Sequence, residues 1–183
     1  MKRTMFLLAS LSYCLASYAA EPAKTVQRGQ LSRALKARQP QRVVLHNKKS
    51  PGYCMGLAGG RTQPRTLVKQ GKCNGQPDQT WILEPTNEGS PSEPVATIHN
   101  AKSRMCLGVD RGRRDPGADL RQNRCNGNPD QKWAFQLSGE GQDEVVRIKH
   151  FDNLCIGVAG GSTTRAQLKQ GKCRRDAKDQ FWN

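Results

Sequence analysis

Three blocks of this chain repeat in a shared register, and that restricts its possible folds more than any other feature. The first block reads Cys54-Met55-Gly56-Leu57-Ala58-Gly59-Gly60, then Lys69-Gln70-Gly71-Lys72-Cys73, then Asp78-Gln79-Thr80-Trp81. The third reads Cys155-Ile156-Gly157-Val158-Ala159-Gly160-Gly161, Lys169-Gln170-Gly171-Lys172-Cys173 and Asp179-Gln180-Phe181-Trp182. The second keeps Cys106-Leu107-Gly108-Val109-Asp110, Cys125 and Asp130-Gln131-Lys132-Trp133. Cys54 and Cys106 stand 52 residues apart, as do Trp81 and Trp133; from the second block to the third both offsets are 49. Two independent markers that keep one register define an internal repeat.

The repeats read as strands. Val43-Val44-Leu45, Val95-Ala96-Thr97-Ile98 and Val145-Val146-Arg147-Ile148 open them with β-branched residues, and Leu67-Val68, Leu120 and Leu168 precede the second cysteines. Gly, Pro, Asn and Asp punctuate these runs as turns. Short strands with regular turns predict an all-β barrel or sandwich, and a repeat number of three predicts closure by threefold symmetry. The last strand is expected to be short, because the sequence continues only to Asn183 beyond Trp182.

Of seven cysteines, Cys14 falls in an N-terminal segment with the anatomy of an export signal. Lys2 and Arg3 lead it, Met5 to Leu15 are mostly apolar, and Ser17-Tyr18-Ala19 is a plausible cleavage region. Residues 1–19 are therefore read as a signal peptide. Lipidation at Cys14 is disfavoured by the bulky Tyr13 before it. The apolar run is shorter than the roughly 20 residues a membrane-spanning helix takes, so no transmembrane segment is expected. Six cysteines remain, an even number that suits a disulfide framework in an exported chain. Their spacings of 19, 19 and 18 residues pair Cys54 with Cys73, Cys106 with Cys125, and Cys155 with Cys173. A zinc site is not expected: no C-x-x-C occurs, and His46, His99 and His150 are read as structural residues recurring at the repeat starts, apart from the cysteines.

Gln79-Thr80-Trp81, Gln131-Lys132-Trp133 and Gln180-Phe181-Trp182, each with an intra-repeat cysteine pair, resemble the ricin B-type lectin family. The resemblance covers residues 42–183, as repeats of about 42–92, 93–141 and 142–183. It implies a β-trefoil in which Gln79, Gln131 and Gln180 tie down local backbone and Trp81, Trp133 and Trp182 pack into a shared core. It also implies carbohydrate binding without catalysis or cofactor, and a similarity to the cell-binding subunits of exported bacterial toxins. In the family an Asp two residues after the first cysteine takes sugar hydroxyls, and an aromatic two before the second stacks on the sugar. Here Gly56, Gly108 and Gly157 occupy the first position, and Gly71, Asn123 and Gly171 the second. The second repeat departs least, so Asp110, Asn123, Asp130 and Gln131 are the candidate ligand residues.

The chain carries 30 Lys and Arg against 15 Asp and Glu, a formal net charge of +15. That favours acidic partners and says nothing of fold. Basic residues gather at the repeat loops as a possible three-part rim suited to sulfate, phosphate or carboxylate. Residues 20–41 form a basic arm or linker in which residues 30–38 have the makings of a brief helix. The expected partner is a glycan or acidic polysaccharide, with a protein chain of a toxin or envelope complex as the alternative. No nucleophile elbow, zinc-protease or phosphate-loop pattern appears, so an enzyme is not expected.

Overall fold

A computed structural model of the chain describes residues 30–139, 144–150 and 153–183. The expected signal segment, Cys14 and residues 20–29 of the basic arm lie outside them. The described residues form an all-β ring of three repeats. The first holds β1 (Gln41–Val43), β2 (His46–Asn47), β3 (Ser50–Leu57), β4 (Val68–Lys72) and β5 (Trp81–Ser90). The second holds β6 (Glu93–Asn100), β7 (Cys106–Val109), β8 (Leu120–Asn123) and β9 (Lys132–Ser138). The third holds β10 (Val145–His150), β11 (Leu154–Val158) and β12 (Ala166–Lys172). β1 and β2 do together what β6 and β10 do as single strands.

The order β1-β5-β6-β9-β10 makes the barrel wall, every neighbour antiparallel. The final strand is a single residue, and it suffices. Trp182 exchanges both backbone hydrogen bonds with Val146 (2.8 and 2.9 Å), and Asn183 does the same with His46 (2.8 and 3.0 Å). The third repeat is thereby sealed to the first. The hairpins β3–β4, β7–β8 and β11–β12 cap one end, and each is crossed by its own disulfide, Cys54–Cys73, Cys106–Cys125 and Cys155–Cys173. Closing a loop of this length stabilises the fold by roughly 3 kcal/mol in the chain-entropy account.

Strict alternation drives the wall strands. In β6, Pro94, Ala96, Ile98 and Asn100 are buried while their neighbours are partly exposed, and β10 alternates likewise. A strand with period two gives one apolar face to the core. Trp81, Trp133 and Trp182 are wholly buried in that core with Leu83, Phe135, Ile98 and Ile148. Each indole N–H donates to a backbone carbonyl 26 residues earlier: Met55 O at 2.9 Å, Leu107 O at 3.0 Å and Ile156 O at 3.3 Å. Burial of an indole is favourable when its one polar atom is satisfied, and here all three are.

A second threefold set joins the repeats to one another. Gln70, Gln122 and Gln170 have no exposed surface. The side-chain amide of Gln70 donates to Ser162 O and Thr164 O, that of Gln122 to Arg61 O and Gln63 O, and that of Gln170 to Arg113 O and Asp115 O. Each glutamine thus holds the hairpin loop of the preceding repeat around the ring.

The helix α1 (Gln30–Lys36) lies within the span expected to be an arm or linker, and it packs as part of the domain. Leu31 and Leu35, one turn apart, belong to the buried core, and the Arg38 guanidinium beyond them donates to Asn87 Oδ1 at 2.8 Å. Two apolar residues at i and i+4 place this basic segment against the barrel. Among the described residues no helix is long and apolar enough to cross a membrane.

Candidate functional site

The motif glutamine, two residues before the Trp of each repeat, organises the outer face of the hairpins. Gln79 donates to Lys72 O (2.7 Å) and accepts from Asn74 N–H (2.9 Å). Gln131 does the same with Arg124 O and Asn126 N–H, and Gln180 with Lys172 O and Arg174 N–H. With both amide atoms engaged, the glutamine side chain cannot shift. A Cβ on Gly56 would stand 2.8 Å from Gln79 Cγ; on Gly108 and Gly157 the corresponding approaches are 3.2 and 3.0 Å. Glycine is required at these positions because the pinned glutamine fills the space beside them.

The preceding aspartate uses the rest of that space. Asp78, Asp130 and Asp179 each put Oδ2 3.6, 3.1 and 3.2 Å from where the Cβ of Gly56, Gly108 and Gly157 would be. A carboxylate absent from the hairpin strand is therefore supplied from the opposite wall. A 3-10 turn follows each strand, Ala58–Gly60, Asp110–Gly112 and Ala159–Gly161, with its middle residue left-handed at φ 62°, 57° and 64°. The turn curls over the carboxylate, and a Cβ on Gly60 or Gly161 would lie 3.5 or 3.7 Å from the Oδ1 of Asp78 or Asp179.

A lysine from the next repeat completes two of these sites. Lys102 Nζ donates to Gly60 O at 2.7 Å, and Lys49 Nζ donates to Gly161 O. The first-repeat cleft, about 520 Å³, is lined by Asp78, Lys69, Lys72, Lys102 and Arg165 among others. The third-repeat cleft, about 640 Å³, is lined by Asp179, Lys49, Lys169, Lys172 and Arg174. Each is an open basin lined by one carboxylate and four cations.

The sequence-derived candidates lie in the second repeat, and the structure gathers only some of them. Asp130 stands over Gly108 and Gly112, beside the turn that Asp110 begins. Asp110 Oδ1 lies 2.9 Å from Arg121 Nε, and Arg121 in turn donates to Arg65 O at 2.6 Å; the carboxylate is held within a repeat-to-repeat contact. Asn123 sits opposite Cys106 in the hairpin register, as Gly71 and Gly171 sit opposite Cys54 and Cys155. Gln131 is buried with both amide atoms committed to backbone. Lys49 and Lys102 were not among the candidates, although Asn47-Lys48-Lys49 and Asn100-Ala101-Lys102 carry a common spacing. The corresponding third-repeat residue is Asp152, outside the described residues.

The expectation about histidines is corrected in two ways. His150 takes the place of Asn47 and Asn100, with its ring 5.3 Å from that of Trp133, and Lys149 takes the place of His46 and His99. The histidines are also not all apart from the cysteines: His46 and His99 each stand against a disulfide. Those sulfurs are bonded to one another and are not thiolate ligands.

The basic rim is partly neutralised from within. Lys169 Nζ lies 3.0 Å from Asp119 Oδ1, where the second repeat meets the third. Burial pushes the Asp119 carboxyl up, but hydrogen bonds from Lys169 and Gln167 and the charges of Lys169 and Arg121 outweigh it and hold it below the usual carboxylate range.

This geometry is that of a trefoil recognition domain with peripheral clefts and a buried threefold core. Residues 94–183 match the ricin-type beta-trefoil lectin domain family, and the first repeat carries the same cysteine, glutamine and tryptophan marks. No curated protein matches the chain by sequence. Among solved structures, the designed threefold-symmetric protein ThreeFoil is 20% identical with a TM-score of 0.65, covering 76% of this chain and 94% of its own. An exo-beta-1,3-galactanase from Clostridium thermocellum is 26% identical with a TM-score of 0.67 over 78% of this chain, which spans 29% of that enzyme. The Haemophilus ducreyi cytolethal distending toxin is 16% identical with a TM-score of 0.56, covering 80% of this chain and 82% of the toxin chain.

Proposed function

We propose that the protein is an exported, non-catalytic recognition module that binds acidic glycans in the clefts of its first and third repeats. The observation that carries this reading is the make-up of the two clefts. A carboxylate accepts hydrogen bonds from sugar hydroxyls, while the surrounding Lys and Arg offer charge-assisted bonds to sulfate or carboxylate groups. Among the described residues no aromatic side chain lines either cleft, so affinity for neutral sugars is expected to be weak. The export motif at residues 1–19 and the three disulfides support action outside the cytoplasm.

The test is calorimetric titration with a heparin-derived hexasaccharide and its desulfated counterpart, at about 50 and 200 mM salt. The sulfated sugar is expected to bind and the desulfated one to bind far more weakly. The decisive variant is Asp78→Ala combined with Asp179→Ala. If the carboxylates take sugar hydroxyls, affinity falls. If the chain merely attracts polyanions, removing two negative charges raises affinity, and the cleft reading fails.

A second reading, the cell-binding subunit of a multi-chain toxin, is supported by the shared fold and near-complete overlap with the cytolethal distending toxin chain. It is compatible with glycan binding, and its test is whether the chain, used as bait in lysate of the cells that make it, retains a second chain of the same toxin.

A further inference from the structure

The three disulfides share one position in the fold but not one chemical setting. On the strand facing each first cysteine stands His46 opposite Cys54, His99 opposite Cys106, and Lys149 opposite Cys155. His99 has the most complete arrangement. Its Nδ1 lies 3.4 Å from Cys125 Sγ and 3.6 Å from Cys106 Sγ. Its Nε2 lies 3.1 Å from Glu84 Oε2 and 2.8 Å from Thr97 Oγ1. A carboxylate on one ring nitrogen fixes the ring and leaves the other nitrogen facing the sulfurs, where it can deliver a proton. Cys125 is exposed while Cys106 is buried.

We propose that Cys106–Cys125 is a thiol-exchange site, with Cys125 the sulfur attacked and Glu84–His99 the proton relay for the sulfur that leaves. An incoming thiolate forms a bond to Cys125 Sγ. The Cys106–Cys125 bond breaks, and its electron pair goes to Cys106 Sγ, which takes the proton from His99 Nδ1. The products are a mixed disulfide at Cys125, a thiol at Cys106 and a neutral imidazole whose Nε2–H stays on Glu84. A second thiol would release the mixed disulfide as an external disulfide. Stabilising the leaving thiolate is what accelerates exchange at a given bridge.

The other bridges lack one or more parts of this arrangement. The Nδ1 of His46 is 3.4–3.5 Å from its sulfurs but also 3.1 Å from Pro51 O, and Cys73 is only partly exposed. Lys149 in the third repeat has its Nζ on Glu93 Oε1 at 2.5 Å. The bridges are therefore expected to open in the order second, first, third.

The experiment treats the oxidised protein with glutathione, alkylates samples over time and maps each cysteine by mass spectrometry. Glutathione is expected on Cys125, with a free Cys106, at least about tenfold sooner than opening of Cys155–Cys173, within the range positioned acids supply. His99→Gln and Glu84→Gln should each slow that bridge while the other two keep their rates. Equal opening of all three bridges, opening of the second last, or glutathione on Cys106 instead of Cys125 would overturn the assignment. The order among wild-type bridges needs no variant, so a variant that failed to fold would not spare the proposal.

Discussion

Gly56, Gly108 and Gly157 show how one anchored side chain dictates its neighbour. In Gly56→Ala the new methyl meets Gln79 Cγ at 2.8 Å, and Gln79 cannot retreat without losing both of its backbone bonds. The expected cost is about 1–3 kcal/mol, read as a lowered midpoint in urea unfolding; an unchanged midpoint would mean that the glutamine moves freely. Arg111 presents the opposite case. It holds φ at 57° where the other repeats have Gly59 and Gly160, and a side chain in that region costs roughly 1–2 kcal/mol. Arg111→Gly should raise stability by up to about 1 kcal/mol, the gain being trimmed by the extra freedom of unfolded glycine. A thermal melt decides the sign. The sequence alone displays glycine where a sugar-binding aspartate is expected. It displays Asp78, Asp130 and Asp179 but not that their carboxylates reach the space beside those glycines, because that depends on how far the turn before each Trp leans over the strand.

At the scale of elements, the contacts between repeats matter as much as those within them. Gln122 donates to Arg61 O and Gln63 O and accepts from Ser103 Oγ at 2.6 Å. Gln122→Met keeps the volume and leaves two carbonyls facing a thioether. It should destabilise by about 1–3 kcal/mol and make the 61–66 loop the first site of proteolytic nicking. Asp119 links the second and third hairpins through charge, on Lys169. Its carboxyl is held below its ordinary value, so its contribution is fully present above about pH 3.9 and is lost as pH falls through the lower folded value. Asp119→Asn should be less stable than the parent near neutrality, with the difference shrinking in acid; a difference independent of pH would remove Lys169 from the explanation. The strands and bridges were legible because cysteine spacing and β-branched runs report local geometry directly. The helix Gln30–Lys36 was harder to place, since its four polar residues outweigh Leu31 and Leu35 in any reading of composition. The clamp glutamines were visible as part of a repeated block, but their targets are more than 50 residues away in sequence.

At the scale of the molecule, the fold and the family were written in the three-block register, whereas the clefts were not. The sequence directs attention to the second repeat, where Asp110 keeps an acid near the expected place, but folding brings Arg121 onto that acid. Among the described residues, basic clefts form in the other two repeats, where Lys102 and Lys49 arrive from the repeat that follows, and no reading of one block by itself contains them. The ring of glutamine clamps has one more consequence. Each loop is fastened by a neighbour, and backbone bonds between Asn183 and His46 close the third repeat onto the first, so every junction between repeats is held, the last by the shortest pairing. The order in which the ribosome supplies the three thirds is then immaterial to the finished object. A circular permutant that keeps the helix Gln30–Lys36, joins 183 to 30 through a linker and opens between β5 and β6 should rebuild the same barrel around the same three tryptophans.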